Sequence, residues 1–174
     1  MKRNFLIFAP IALLFGIIGI YVGMKRTEPA PVADTAVSTL FAQTLPDTQG
    51  KQQALSQWKA HPMVVNFWAT WCAPCVQEMP ELSSLQSELG SRHIQIVGIG
   101  IDSPSNIAEF SQKYKIAYPL YVAGMSGTEL SRQLGNHAGG LPFTVLVGSD
   151  GKVKKSYLGK LKFEELRRDL AILQ

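Results

Sequence analysis

The chain holds two cysteines, Cys72 and Cys75, with only Ala73 and Pro74 between them. Val64, Val65, Phe67 and Trp68 precede them, an apolar and β-prone run of the kind that makes a buried strand. Ala69-Thr70-Trp71 then turns the chain and delivers Cys72 to the first turn of a predicted helix. Free N–H groups and the positive end of the helix dipole favour thiolate over thiol there. A thiolate beside a partner thiol is the working part of a disulfide exchanger: the first attacks, the second resolves. Two blander chemistries use the same pair. Half a zinc site is one, but tetrahedral zinc wants four ligands, and His61, His93 and His137 are scattered with no second C-x-x-C. A structural bridge is the other, but so short a loop gains little from chain entropy. The strand before, the helix after, Trp71 ahead and Pro74 between favour redox work.

The positioning elements follow from periodicity. Pro62 opens a strand over residues 63–68. A helix over residues 72–89 is predicted to stop at Gly90, with Val76, Met79, Leu82, Leu85 and Leu89 at helical spacing and Pro80 kinking it. Residues 93–101 read as the next strand, and the apolar run Ile94, Ile96, Val97, Ile99 and Ile101 suits the centre of a sheet. Ser103-Pro104 caps a helix to Tyr114. A short strand over 119–122, a helix over 126–134 ended by Gly135, a strand over 143–147, an Asp150-Gly151 turn, a strand over 152–158 and a helix over 163–173 complete the pattern. Alternating strands and helices followed by a hairpin and a helix predict an α/β sandwich with a mixed sheet. Before residue 62, residues 38–41 with Thr44-Leu45 read as a short strand and 47–51 as a turn. Residues 54–58 read as one helical turn.

At 174 residues the chain suits one domain plus an appendage. Residues 5–24, FLIFAPIALLFGIIGIYVGM, carry no charge and are long enough to span a bilayer. Lys2, Arg3, Lys25 and Arg26 flank them, so residues 1–26 read as an uncleaved signal anchor with the catalytic part outside the cytoplasm, cleavage being the runner-up. Those four account for the whole formal charge of +4, leaving 13 basic against 13 acidic residues in the remainder. That balance argues against a nucleic-acid surface, and Lys152, Lys154, Lys155, Lys160 and Lys162 read as a solvated hairpin. Residues 27–37, TEPAPVADTAV, read as a flexible tether, and 38–174 as the folded domain.

FWATWCAPC followed by V-Q-E-M-P resembles the thioredoxin superfamily, and more closely its membrane-anchored TlpA/ResA-like branch, with CcmG/DsbE-type reductases as neighbours. The resemblance covers roughly residues 38–174. It implies a thioredoxin fold, a three-layer α/β/α sandwich with a mixed central sheet, an N-terminal β-hairpin extension and a central insertion at 119–122. It also implies a protein disulfide reductase with no cofactor beyond the Cys72–Cys75 disulfide. Apocytochrome c or copper-site assembly proteins are the implied clients, and a transmembrane donor of DsbD/CcdA type the implied electron source. A monomer is expected.

Further site residues come from the same combination. Glu78 lies three residues after Cys75 and so on roughly its face of the helix. A buried carboxylate there can take and return the thiol's proton. TlpA/ResA-like proteins place a Glu at this position, whereas thioredoxins use an Asp on the preceding strand, where this chain has Asn66. A solvated helix glutamate is the competing reading. Pro142 is expected to be cis and to lie against the cysteines, as in the family, with the Leu141 backbone open to a substrate strand. Trp71 and Pro74 are expected on the docking surface. His137 is expected to be a loop residue without a role. Met79 and Met125 are candidate soft ligands should the thiolates carry copper(I), the alternative function being copper delivery or a non-cycling adaptor.

Overall fold

The computed structural model describes residues 32–173, so the apolar run at 5–24 lies outside the described residues. Among the described residues no helix is long and apolar enough to cross a membrane. Chain order is α1 (Val32–Ala42), β1 (Thr44–Pro46), β2 (Gln52–Ala54), a 3-10 turn (Leu55–Trp58), β3 (Met63–Trp68), α2 (Ala73–Leu89), β4 (Gln95–Gly100) and α3 (Pro104–Tyr114). It continues with β5 (Leu120–Val122), α4 (Ser126–Gln133), β6 (Phe143–Val147), β7 (Val153–Leu158) and α5 (Phe163–Asp169).

β1 and β2 form a separate antiparallel hairpin, and the main sheet runs β5-β4-β3-β6-β7. β3, β4 and β5 are parallel, while β6 is antiparallel to β3 and β7 to β6. This is the mixed sheet of a thioredoxin-like fold with an N-terminal hairpin. β5, from the central insertion, forms one edge of that sheet, and β7, alternately half-buried and exposed, forms the other.

β3 is buried along its whole length and shows how the layers are built. Its side chains alternate between faces, so Met63, Val65 and Phe67 join a core with Val37 and Leu40 of α1 and Leu130 of α4. Val64 and Trp68 point the other way, into a core with Leu82 and Leu85 of α2, Phe110 of α3 and Leu166 of α5. Asn66, the one polar residue of the strand, shares the α2 face with Trp68 and has no exposed surface. Gly98 of β4 stands opposite Asn66 in register. A methyl group there would lie 2.4 Å from Leu120 and 3.2 Å from the Trp68 indole nitrogen, so any larger residue would have to displace the Leu120 side chain.

Two sequence readings are corrected. Residues 32–41, divided between tether and strand, belong to α1, because Val32, Ala36, Val37, Leu40 and Phe41 recur at helical spacing. Ala36, Val37 and Leu40 bury that face against the sheet, and the strand is confined to Thr44–Pro46. α2 ends at Leu89 with Gly90 as its C-cap, as the sequence predicts; Gly90 is right-handed and begins a 3-10 turn, and His93 takes the left-handed position at φ 56°. The last helix is α only to Asp169 and tightens into a 3-10 turn over Leu170–Leu173. α2 keeps its helical assignment through Pro80, whose missing N–H leaves the Val76 carbonyl without its usual partner. The lysine group is tied to neighbours: Lys154 pairs with Asp150, Lys155 with Glu165 and Asp169, and Lys160 donates to Gln77.

Candidate active site

β3 ends at Trp68, whose carbonyl accepts from Ile101 N–H at 2.8 Å and so stays locked to β4. The chain then makes a turn closed by Cys72 N–H donating to the Ala69 carbonyl at 3.2 Å. Asp102, just past β4, clips this turn: its Oδ2 accepts from Thr70 N–H at 3.2 Å and also from the Thr70 hydroxyl. Cys72 emerges as the N-cap of α2, with Pro74 in the first turn, where no helical partner awaits its missing N–H.

Cys72 and Cys75 are joined by a disulfide, with their Cα atoms 5.3 Å apart. The two sulfurs are not equivalent. Cys75 is 0 % exposed, Cys72 6 %, and Trp71 beside it 69 %. The Cys72 sulfur accepts the Cys75 backbone N–H at 3.3 Å, a donor that would also hold negative charge on Cys72 once the bond is reduced.

Glu78, one turn beyond Cys75, is fully buried, so the reading as a solvated helix residue is overturned. Its Oε1 accepts from Asn66 Nδ2 at 3.0 Å and its Oε2 from Leu161 N–H at 2.9 Å. Desolvation pushes its pKa up to about 7, against those two donors and the charge of Lys160. Asn66 donates its second amide hydrogen to Thr144 Oγ1 at 3.0 Å, which fixes the amide between β6 and α2. The position that carries an acid in thioredoxins thus serves here as a donor to the acid on the helix.

The Leu141–Pro142 bond is cis, and Pro142 opens β6 beside β3. Gly159 N–H donates to the Pro142 carbonyl at 2.8 Å, and buried Asn136 donates to the Gly140 carbonyl at 2.9 Å, so both sides of this loop are held. Leu141 is half-buried and packs on both cores. His137 is exposed, Met79 fills the core and Met125 stands exposed before α4. Among the described residues no group of three or more His, Cys, Asp and Glu is clustered as metal ligands would be. Sequence reasoning missed Asp102, Thr144 and Asn136, whose roles depend on partners distant in the chain; only the turn-forming and capping character of Asp102-Ser103-Pro104 hinted at one of them.

The Redoxin family model matches residues 27–170. The chain belongs to the Redoxin family. A thiol-disulfide oxidoreductase ResA from Bacillus anthracis is 30% identical over 172 residues, covering 95% of this chain and 95% of its own. A ResA from Geobacillus thermodenitrificans is 28% identical over 145 residues, 83% of this chain and 80% of that one. Among solved structures, a putative thiol:disulfide interchange protein DsbE from Chlorobium tepidum superposes with a TM-score of 0.66 at 22% identity, covering 75% of this chain and 92% of its own. A secreted Mycobacterium tuberculosis disulfide oxidoreductase homologous to E. coli DsbE gives 0.65 at 20% identity, with 81% and 100% covered. These structures share the fold. This redoxin is a ResA-like thiol-disulfide oxidoreductase, and its Cys72–Cys75 bond stands at the helix start where exchange chemistry is favoured.

Proposed function

We propose that this redoxin is a membrane-tethered reductant of protein disulfides working outside the cytoplasm. The difference in access between Cys72 and Cys75 carries the reading, with the ResA relatives and the charge-free run at 5–24 in support. The Cys72 thiolate attacks one sulfur of a client disulfide; a new S–S bond forms, the client bond breaks, and the departing sulfur takes a proton. Glu78, as carboxylate, accepts the Cys75 proton, and the Cys75 thiolate attacks the Cys72 sulfur. The second client sulfur leaves and is protonated from Glu78. Two electrons have then passed to the client, and the enzyme holds the disulfide seen here. Trp71, Pro74, Leu141 and Pro142 form the surface on which the client lies, the Leu141 backbone offering strand-like hydrogen bonds.

An oxidising compartment would re-form client disulfides, so the reductant there needs electrons from a membrane-embedded thiol carrier of DsbD/CcdA type. Clients whose cysteines must be reduced before a haem or copper is attached fit this chemistry, apocytochrome c and copper-site assembly proteins among them. Acid quenching of host cells, followed by mass-tagging of free thiols, tests the direction. The pair is expected mostly reduced in growing cells and oxidised once the thiol carrier is removed. A pair that is mostly disulfide in both cases contradicts a reductant.

A further inference from the structure

We propose that the cleft between α2 and α3 is a subsite for an aromatic side chain of the polypeptide whose disulfide Cys72 attacks. The inference rests on the exchange reaction of Cys72 and adds to it a determinant of client choice.

The cleft encloses about 240 Å³, with Thr70 and Val76 on the cysteine side. Val76 follows Cys72 by one helical turn, which sets those two side chains about 6 Å apart, and Thr70 precedes Cys72 by two residues. An extended chain advances about 3.3 Å per residue, so a side chain two positions from the client cysteine reaches the opening. The cleft lies on the β4 side of β3 and Pro142 on the β6 side. A client strand that meets the Leu141 backbone and crosses Cys72 therefore arrives at the cleft on the far side.

Its lining selects the occupant. The rings of Phe110 and Tyr114 stack at 4.5 Å and 33°, and Tyr114 keeps 38 % of its surface exposed. Glu109 and Lys113 stand on the rim with opposite charges, so neither a cationic nor an anionic side chain gains a net partner. Lys113 Nζ lies 5.4 Å over the Tyr114 ring. A neutral aromatic ring extends this stack and adds a face near the ammonium group. A cavity of about 150 Å³ suffices for benzene, so the space matches one ring.

The walls are fixed before a client arrives. Asp102 Oδ2 holds Thr70 on one wall, while its Oδ1 accepts from Asn106 Nδ2 on the other at 2.8 Å and from Ser103 N–H at 2.7 Å. One carboxylate thus sets the width of the cleft, and little ordering is left to the moment of binding.

The test uses reduced full-length protein and disulfide-bridged peptides that differ only by Phe or Ala two residues before or after the attacked cysteine. The Phe peptide is expected to be favoured about tenfold in kcat/KM at one of the two positions, through KM. Tyr114→Ala brings the Phe/Ala ratio to about one. Ile172→Ala, an exposed residue of the C-terminal turn, keeps the wild-type ratio. Because the ratio is taken within each variant, a loss of folded protein does not imitate the result. Equal kcat/KM for Phe and Ala at both positions, or a preference that survives Tyr114→Ala, overturns the subsite and leaves the reductase reading standing. A wild-type protein that reduces neither peptide nor glutathione disulfide overturns the reductase reading and the subsite with it.

Discussion

Cys72→Ser is expected to reduce turnover of a client disulfide to the uncatalysed background, whereas Cys75→Ser is expected to react once and stop. The two substitutions are chemically identical, so the difference must come from position. Cys72 caps α2 at the protein surface, and its sulfur receives the Cys75 N–H. Without it no other sulfur can meet an incoming disulfide, because Cys75 has no exposed surface. With Cys72 present and Cys75 replaced, the first exchange proceeds normally but the mixed disulfide has no resolving thiolate. Mass spectrometry of the Cys75→Ser reaction should find close to one client per chain joined through Cys72. Catalytic turnover by Cys72→Ser, or no covalent client on Cys75→Ser, contradicts the assignment of roles.

Glu78→Gln is expected to remove part of the protein's pH dependence. In the folded protein the Glu78 pKa is raised from 4.5 to about 7 by burial. Below 4.5 the group is protonated whether the chain is folded or not, and it costs nothing. Between 4.5 and 7 the unfolded chain releases the proton while the folded chain keeps it, so stability falls as pH rises, by about 3 kcal/mol in all, and levels off above 7. Glutamine removes this slope. It also turns one amide hydrogen pair toward either Asn66 Nδ2 or Leu161 N–H, both of which are donors, at a cost of about 1–3 kcal/mol. The variant should therefore be less stable than wild type at about pH 5 and close to it at about pH 8. Urea unfolding of the oxidised proteins at the two pH values measures this. In the reduced protein the same substitution should slow client reduction near neutral pH and remove the Glu78 step from the pH–rate profile. A constant stability difference across the range, with an unaltered profile, would make Glu78 only a tie between Asn66 and Leu161.

Where sequence and structure agree, the information is local. Cys72 and Pro74 could be placed at a helix start because capping and the first turn depend on a few consecutive residues. β3 followed from its continuous apolar run, which suits a strand buried on both faces, and glycines at the turns marked Gly135 and Gly151, which adopt φ of 106° and 71°. α1 was obscured by composition: Pro29 and Pro31 drew attention to a tether, although the apolar spacing from Val32 onward was helical. The candidate site was legible in its residue types and not in its connections. Asn66 meets Thr144 across 78 positions, Leu161 meets Glu78 across 83 and Asp102 meets Thr70 across 32. Such pairs exist only after strands and helices have assembled, so periodicity carries no trace of them. Burial of Glu78 is of this kind, since it depends on α2 lying over Asn66 while the segment before α5 closes above it.

The central claim is that one sulfur is the accessible, acidic nucleophile and the other the buried resolver. Limiting alkylation of the reduced protein near neutral pH, followed by mapping of the label, tests it most directly. The label is predicted on Cys72 first, with Cys75 modified only after prolonged exposure or unfolding. Label appearing first on Cys75, or equally on both, would contradict the account.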